Sequence, residues 1–224
     1  PIIGATLKLR AQADEDGDRD GYIALLAQNQ VGYRNLMALI SDAHLEIEGA
    51  QEPGVEAAVL ARHADGLICL SGGEESPVDK LLANQRETLA EAKLSFLRET
   101  FPDRFYVELQ RYAGRDSAAT EVKLIDFAYA MDLPLVATNQ AFFASADDYR
   151  AHDALICIAA GRYLNEDDRR RLTPDHRLKS AEEMCALFAD LPEALENTVE
   201  IGQRCAFRPT EHPPILPAFS EGDE

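Results

Sequence analysis

A few short stretches carry residues whose types and spacing could do chemistry. Asp16-x-Asp18-x-Asp20-Gly21 copies the first half of a calcium loop: alternating carboxylates, a turn glycine, and Ile23 at the apolar eighth position. The twelfth position holds Ala27, where a bidentate Glu belongs. The loop would therefore hold calcium weakly, and a solvated acidic loop is the better reading. His152-Asp153 is a pair that serves metal-dependent phosphohydrolysis only with further His and Asp ligands. It reads as a helix-surface pair or a hydrogen-bonded structural histidine. His44, His63, His176 and His212 lack ligand-like neighbours and read as surface residues. Ser71-Gly72-Gly73 could cradle phosphate with backbone N–H groups, but Glu74 and Glu75 follow in place of a Gly-Lys-Ser/Thr continuation. A tight strand-to-helix turn is the better reading. Arg169, Arg170 and Arg171, with Arg162, Arg177 and Lys179, form the one basic concentration in the chain. They could touch DNA or an acidic partner, yet Glu166, Asp167 and Asp168 stand beside them, which favours a mixed, solvated loop.

The elements that must position such groups follow from hydrophobic patterning. The stretch 135–143 (LVATNQAFF), introduced by Pro134, reads as a short, buried apolar strand that ends in Thr138 and Asn139. In α/β proteins chemistry sits just past the carboxyl ends of strands. That point carries Gln140 and Phe142 here, neither a good ligand, acid, base or nucleophile. Residues 2–9, 66–70 and 105–110 read as further strands. Residues 22–30 and 33–48 read as helices broken near Val31-Gly32, the second with Leu36, Leu39, Ile40 and Ala43 on one face. One long helix is expected over 77–100. Another is expected over 117–131, with Val122, Ile125 and Tyr129 aligned, and a third over 147–160. Ser180-x-x-Glu183 is a capping box for a helix to 189, and Pro192 opens a last helix to about 204. Strands alternating with helices imply an α/β fold with a parallel sheet. The polar stretch 161–178 and the proline-rich, acidic tail from 209 read as irregular chain and the start of a linker.

Composition excludes several classes. The 224 residues carry a net charge of −18 and a pI near 4.6, which argues against a free-standing nucleic-acid-binding module. No apolar run is long enough to span a membrane, and no signal peptide is visible. Cys69, Cys157, Cys185 and Cys205 lack metal spacing and read as reduced residues of a cytoplasmic protein. Pro1 opens in mid-strand, so a longer parent protein is expected.

Several blocks together resemble a family. Pro1-Ile-Ile-Gly4, Leu26-Ala-Gln-Asn29 with Gly32-Tyr-Arg-Asn-Leu36, Gly66-Leu-Ile-Cys-Leu-Ser-Gly-Gly73, Phe101-Pro-Asp-Arg-Phe105 with Glu108-Leu109, and Val136-Ala-Thr-Asn139 are similar in order and spacing to PHP (polymerase and histidinol phosphatase) domains. The block from Ser180 to Cys205 is similar to the segment that follows this domain in bacterial DNA polymerase III alpha subunits, and favours the replicative form over an error-prone paralogue.

The resemblance implies an incomplete PHP-type distorted (β/α)7 barrel over residues 1–160, its opening strands upstream of Pro1, and a helical extension with the start of a linker over 161–224. Active members hold metal with His, Asp and Glu at the strand ends and hydrolyse phosphoesters. The corresponding positions here hold Thr6, Tyr22, Gln140 and Phe142, and Tyr112 stands where active members often carry a further His. No cofactor is therefore expected, and the resemblance implies a non-catalytic scaffold. Its parent would be a DNA-directed DNA polymerase, a nucleotidyltransferase of DNA replication. Its partners would be the rest of that subunit and the proofreading exonuclease subunit, with DNA met only through the parent. The alternative is a metal-dependent phosphoesterase or 3′-5′ exonuclease whose Zn or Mn site is rebuilt with upstream residues. A third reading is an interaction domain that uses the loop of Asp16, Asp18 and Asp20 as a calcium switch.

Overall fold

The computed structural model describes residues 1–10, 20–45, 52–112, 118–210 and 213. Five strands form one sheet in the order β1 (Gly4–Leu9), β2 (Gly21–Ala27), β3 (Leu67–Leu70), β4 (Phe105–Gln110) and β5 (Leu135–Thr138). Eight α-helices accompany them among the described residues: α1 (Gln30–Leu45), α2 (Ala57–Arg62), α3 (Pro77–Ala83), α4 (Glu87–Thr100), α5 (Ala118–Ala130), α6 (Tyr149–Ala160), α7 (Ala181–Leu187) and α8 (Pro192–Arg204). The sheet is mixed, not parallel throughout. β1, β2 and β3 pair antiparallel, whereas β3, β4 and β5 pair parallel.

The difference comes from β2, which the sequence pattern presents as a helix over 22–30. Its alternation is hidden because both faces are apolar, the usual state of a strand buried on two sides. Ile23, Leu25 and Ala27 enter the core under the helices, while Ala24 and Leu26 pack on the opposite face with Ile68, Leu70, Tyr106 and Val136. Leu and Ala favour helix locally, and tertiary pairing overrides that preference. The supposed break at Val31-Gly32 is the first turn of α1. Asn29 Oδ1 accepts from the N–H groups of Val31 at 2.9 Å and Gly32 at 3.0 Å, an N-cap. Gly32 is needed for contact, since a Cβ there would lie 1.9 Å from the Gly66 carbonyl oxygen.

One core lies between the sheet and helices α1 to α5, and it takes in Phe188, Leu191 and Ala194 from the α7–α8 region. Within α5 the buried residues are Leu124 and Ala128, so the apolar face is turned from the expected one, and Val122 and Tyr129 are exposed. In α1, Leu36, Leu39 and Ala43 are buried while Ile40 lies at the surface. The second face of the sheet is covered by α8 through Ile201, with Cys205 just past the helix end. There Tyr106 donates its hydroxyl proton to Glu200 at 2.9 Å and accepts from Arg204 at 2.7 Å. Asn197 donates to the Leu135 carbonyl of edge strand β5 at 2.8 Å, which helps occupy that edge. The capping box at α7 forms in both directions: Glu183 N–H donates to Ser180 Oγ at 3.2 Å, and Ser180 N–H to Glu183 Oε2 at 2.8 Å.

The long helix expected over 77–100 is two helices, α3 and α4. The chain turns at Asn84 to Arg86, where exposed Gln85 adopts φ 58°, a left-handed conformation that disfavours residues with a Cβ. Gln85→Gly is therefore expected to raise stability by about 0.5–1 kcal/mol, net of glycine's greater chain entropy. Thermal unfolding of the variant beside the parent reads this as a rise of about 1–4 °C.

Candidate functional site

At the carboxyl ends of β3 to β5 the second face of the sheet turns from apolar to polar. Tyr106 and Val136 give way, two residues on, to Glu108 and Thr138. Glu108 is buried and takes hydrogen bonds on Oε1 from Gln110 Nε2 at 2.9 Å and from the Thr138 hydroxyl. Its N–H donates to Ser71 Oγ at 2.9 Å. Gly73 makes room for Gln110, because a Cβ there would lie 2.0 Å from Gln110 Oε1. Ser71-Gly72-Gly73 is the tight turn its sequence suggests, with Gly72 at φ +84°. Sequence reasoning missed this buried polar group. The available signal was Glu108 and Gln110 at i and i+2 in an otherwise apolar strand.

The sheet brings Thr6, Tyr22, Gln140 and Phe142 toward this mouth. Thr6 pairs with Ala24, one strand from Leu70, and Tyr22 lies two residues further toward the mouth on β2, paired with Lys8. Tyr22 thus stands on a strand and not at a helix start. Its hydroxyl donates to Glu52, and its pKa is pushed up to about 12 by that bond first and by burial second. Gln140 and Phe142 follow the end of β5, which stops at Thr138, where the sequence expectation places the strand's end.

Phe142, 40% exposed, lies near two imidazoles at the mouth. Its ring centroid lies 5.7 Å from that of His152 and 6.1 Å from that of His176, and the Arg170 guanidinium stands 5.7 Å from the same ring. Tyr112 closes on His176 at 4.3 Å and donates its hydroxyl proton to Glu74. Two backbone bonds clasp the following loop to β5's exit: Phe142 N–H to the His176 carbonyl and Leu178 N–H to the Phe143 carbonyl, both 2.9 Å. Lys179 Nζ donates to Asn139 Oδ1 at 2.8 Å, and burial lowers its pKa.

Other candidate residues sit elsewhere or differently than expected. Asp16, Asp18 and His212 lie outside the described residues. Asp20 faces an ammonium, with Lys8 Nζ 3.3 Å from its carboxylate. Gly21 begins a strand, and a Cβ there would lie 2.2 Å from Pro77 N. His176 is not a surface residue but 4% exposed. Asp153 is buried and clamped by Arg169, whose two Nη atoms lie 2.5 and 2.7 Å from its carboxylate oxygens. The bonds from Arg169 hold the Asp153 pKa below the usual carboxylate range. Arg169 is therefore an inward-facing structural cation, which a reading of 169–171 as a solvated loop does not foresee. Among the described residues no group of three or more His, Cys, Asp and Glu is arranged to hold a metal ion.

His176 makes stability depend on pH. Burial lowers its pKa from the ordinary 6.5, and its Nδ1 accepts from Thr173 N–H at 3.1 Å. Below 6.5 the unfolded chain binds a proton at this site that the folded chain refuses, so stability is full above that value and falls as pH drops through it. Melting curves between pH 7.5 and 5 are expected to show the decline, and His176→Gln is expected to flatten it.

The family model for the PHP domain matches residues 1–112. The chain belongs to the PHP domain family. Curated relatives extend this likeness over the whole PHP chain. It is 48% identical to DNA polymerase III subunit alpha of Caulobacter vibrioides across 100% of its length, 41% to that of Vibrio cholerae across 99%, and 38% to that of Escherichia coli K12 across 100%. It spans only about a fifth of the length of these relatives (20%, 19% and 19%). No helix among the described residues is long and apolar enough to cross a membrane.

Proposed function

We propose that this PHP chain is a non-catalytic scaffold within a replicative polymerase of the DNA polymerase III alpha type. In this reading residues 1–160 are an arc of a distorted PHP-type barrel, and residues 161–224 are a helical extension leading into a linker. The parent is a cytoplasmic nucleotidyltransferase that synthesises DNA from a DNA template, and DNA meets the parent and not this acidic portion. The scaffold supports the polymerase and docks a proofreading exonuclease subunit.

The observation that carries the reading is Phe142. It stands where active relatives of the family are expected to place an imidazole, and its ring lies 5.7 Å from that of His152 and 6.1 Å from that of His176. A benzene ring donates no lone pair to a cation. Glu108, the buried carboxylate of the mouth, is already engaged by Gln110 and Thr138.

The test is elemental analysis of the longer polypeptide after incubation with zinc and manganese, with a phosphodiesterase assay and co-purification with the exonuclease subunit. No bound metal, no hydrolysis and a stable complex are the expected results. Tightly bound metal with phosphodiester hydrolysis would establish the hydrolase alternative. Loss of the complex alone would remove the partner and leave the scaffold.

A further inference from the structure

The segment between α6 and α7 returns to the mouth, and almost none of it is buried. From Gly161 to Ser180 it forms no helix or strand, and His176 is its one buried residue. The imidazole lies 4.3 Å from the Tyr112 ring after β4 and 6.1 Å from the Phe142 ring after β5. Around it runs a short backbone seam. The His176 carbonyl accepts from Phe142 N–H and the Phe143 carbonyl from Leu178 N–H, both at 2.9 Å. Asn139 Nδ2 donates to the Arg177 carbonyl at 2.7 Å. A segment held by one buried side chain opens locally at far lower cost than the core. Here that side chain is the type whose charge changes near neutral pH.

The groups that face the ring pull in both directions. Burial, the largest influence, disfavours the charged ring, and Lys179 of the same loop acts with it. Glu74 in the turn after β3, Asp175 and the Thr173 carbonyl, 3.3 Å from Nδ1, favour the charged ring but are outweighed. The Tyr112 hydroxyl donates to Glu74. Phe142 carries Arg170 at 5.7 Å, a further cation, and His152 at the same distance. In the neutral ring Nδ1 accepts from Thr173 N–H at 3.1 Å, so its proton sits on Nε2 and a second one must enter against that N–H. The ion pairs of the segment do not respond in the same range. Asp153 is held below the usual carboxylate range by Arg169, and Glu183 is pulled down to about 2, first by Arg177.

We propose that residues 172–178 are a strap over the mouth, closed while His176 is neutral and released when it takes a second proton. Released, the strap gives up the seam along the exit of β5 and uncovers Tyr112 and Asn139, while α6, α7 and the sheet stay folded. Linkage sets the size of the effect. An imidazole of ordinary pKa 6.5 in the open strap, kept neutral in the closed one, raises the open population by at most about tenfold between pH 7.5 and 5.5. The strap does not depend on the scaffold reading, which concerns metal and partners.

The test is hydrogen exchange of the longer polypeptide at pH 7.5 and 5.5, read by mass spectrometry and corrected for the intrinsic pH dependence of exchange. Peptides covering Phe142 and Leu178, whose N–H groups form the seam, should lose at least about threefold in protection on acidification. Peptides over β4 and α8 should lose less. His176→Gln should remove the response of the seam, and His152→Gln, at the neighbouring imidazole, should keep it. Should Gln at 176 loosen the whole chain, the contrast between seam and core in the parent still decides. The proposal is overturned if the seam changes by less than about threefold, if seam and core respond equally, if His176→Gln responds like the parent, or if His152→Gln loses the response. None of those outcomes bears on metal binding, hydrolysis or co-purification, so the two ideas fail separately.

Discussion

Phe188→Ala is expected to cost about 3–5 kcal/mol of stability, the range for emptying a fully buried aromatic site. Phe188 is 0% exposed and shares the main core with the sheet and α1 to α5. Its ring lies 4.6 Å from the Arg111 guanidinium. Arg111 follows β4 directly and ties three parts together: it bonds Glu121 of α5 at 2.7 Å, Asp190 at 2.6 Å and the Leu187 carbonyl at 2.8 Å. Its pKa is held above the usual guanidinium value, chiefly by the bond to Asp190. Removing the ring leaves a cavity beneath this clamp, so the loss falls where α7 and α8 join the sheet. Thermal unfolding should show a fall of about 6–20 °C. Hydrogen exchange should show early loss of protection over residues 181–204. A change below about 1 kcal/mol would mean that these helices are not anchored through Phe188.

Phe142→His is expected to create a zinc site. The substituted ring would stand near His152 and His176, whose centroids lie 5.7 and 6.1 Å from the present ring. The new imidazole would have two others within about 6 Å, and three histidines with one open position suit a tetrahedral zinc ion. To give Nε2 to the metal, His176 would carry its proton on Nδ1, exchanging the bond it accepts from Thr173 N–H for one donated to Thr173 O, 3.3 Å away. Zinc at one hundred times its dissociation constant adds about 2.7 kcal/mol, read as a rise of about 5–10 °C that a chelator reverses. The parent chain should show no comparable rise. Equal zinc response in parent and variant would mean that Phe142 is not what closes the mouth.

These expectations depend on contacts that were unevenly legible beforehand. The α7 capping box, the start of α8 at Pro192, the helix over 149–160 and the strands at 67–70 and 105–110 follow from local chemistry: a side-chain cap, a ring-fixed φ, an unbroken apolar run. β2 was not legible, because a strand buried on both faces loses its alternation and its Ala and Leu residues favour helix. The division of the helix over 77–100 also escaped, because Gln85 is no turn signal. His176 looked like a surface residue because nothing in its neighbouring sequence shows Tyr112 and Phe142 folding over it. Likewise Asp153 and Arg169 are sixteen residues apart in sequence, and only the loop's return onto α6 makes them a buried pair.

By itself the sequence determined the α/β class and the acidic composition, and it fixed which residues, Thr6, Tyr22, Gln140 and Phe142, stand at those positions in any conformation. The tertiary structure alone decided that β1, β2 and β3 run antiparallel, that Glu108 is engaged by its neighbours, and that Phe142 comes within about 6 Å of two histidines. The reason is range. Residue type and local pattern set which groups a segment offers, whereas burial, pairing and direction depend on segments tens of residues away, whose approach is set by packing of the whole sheet.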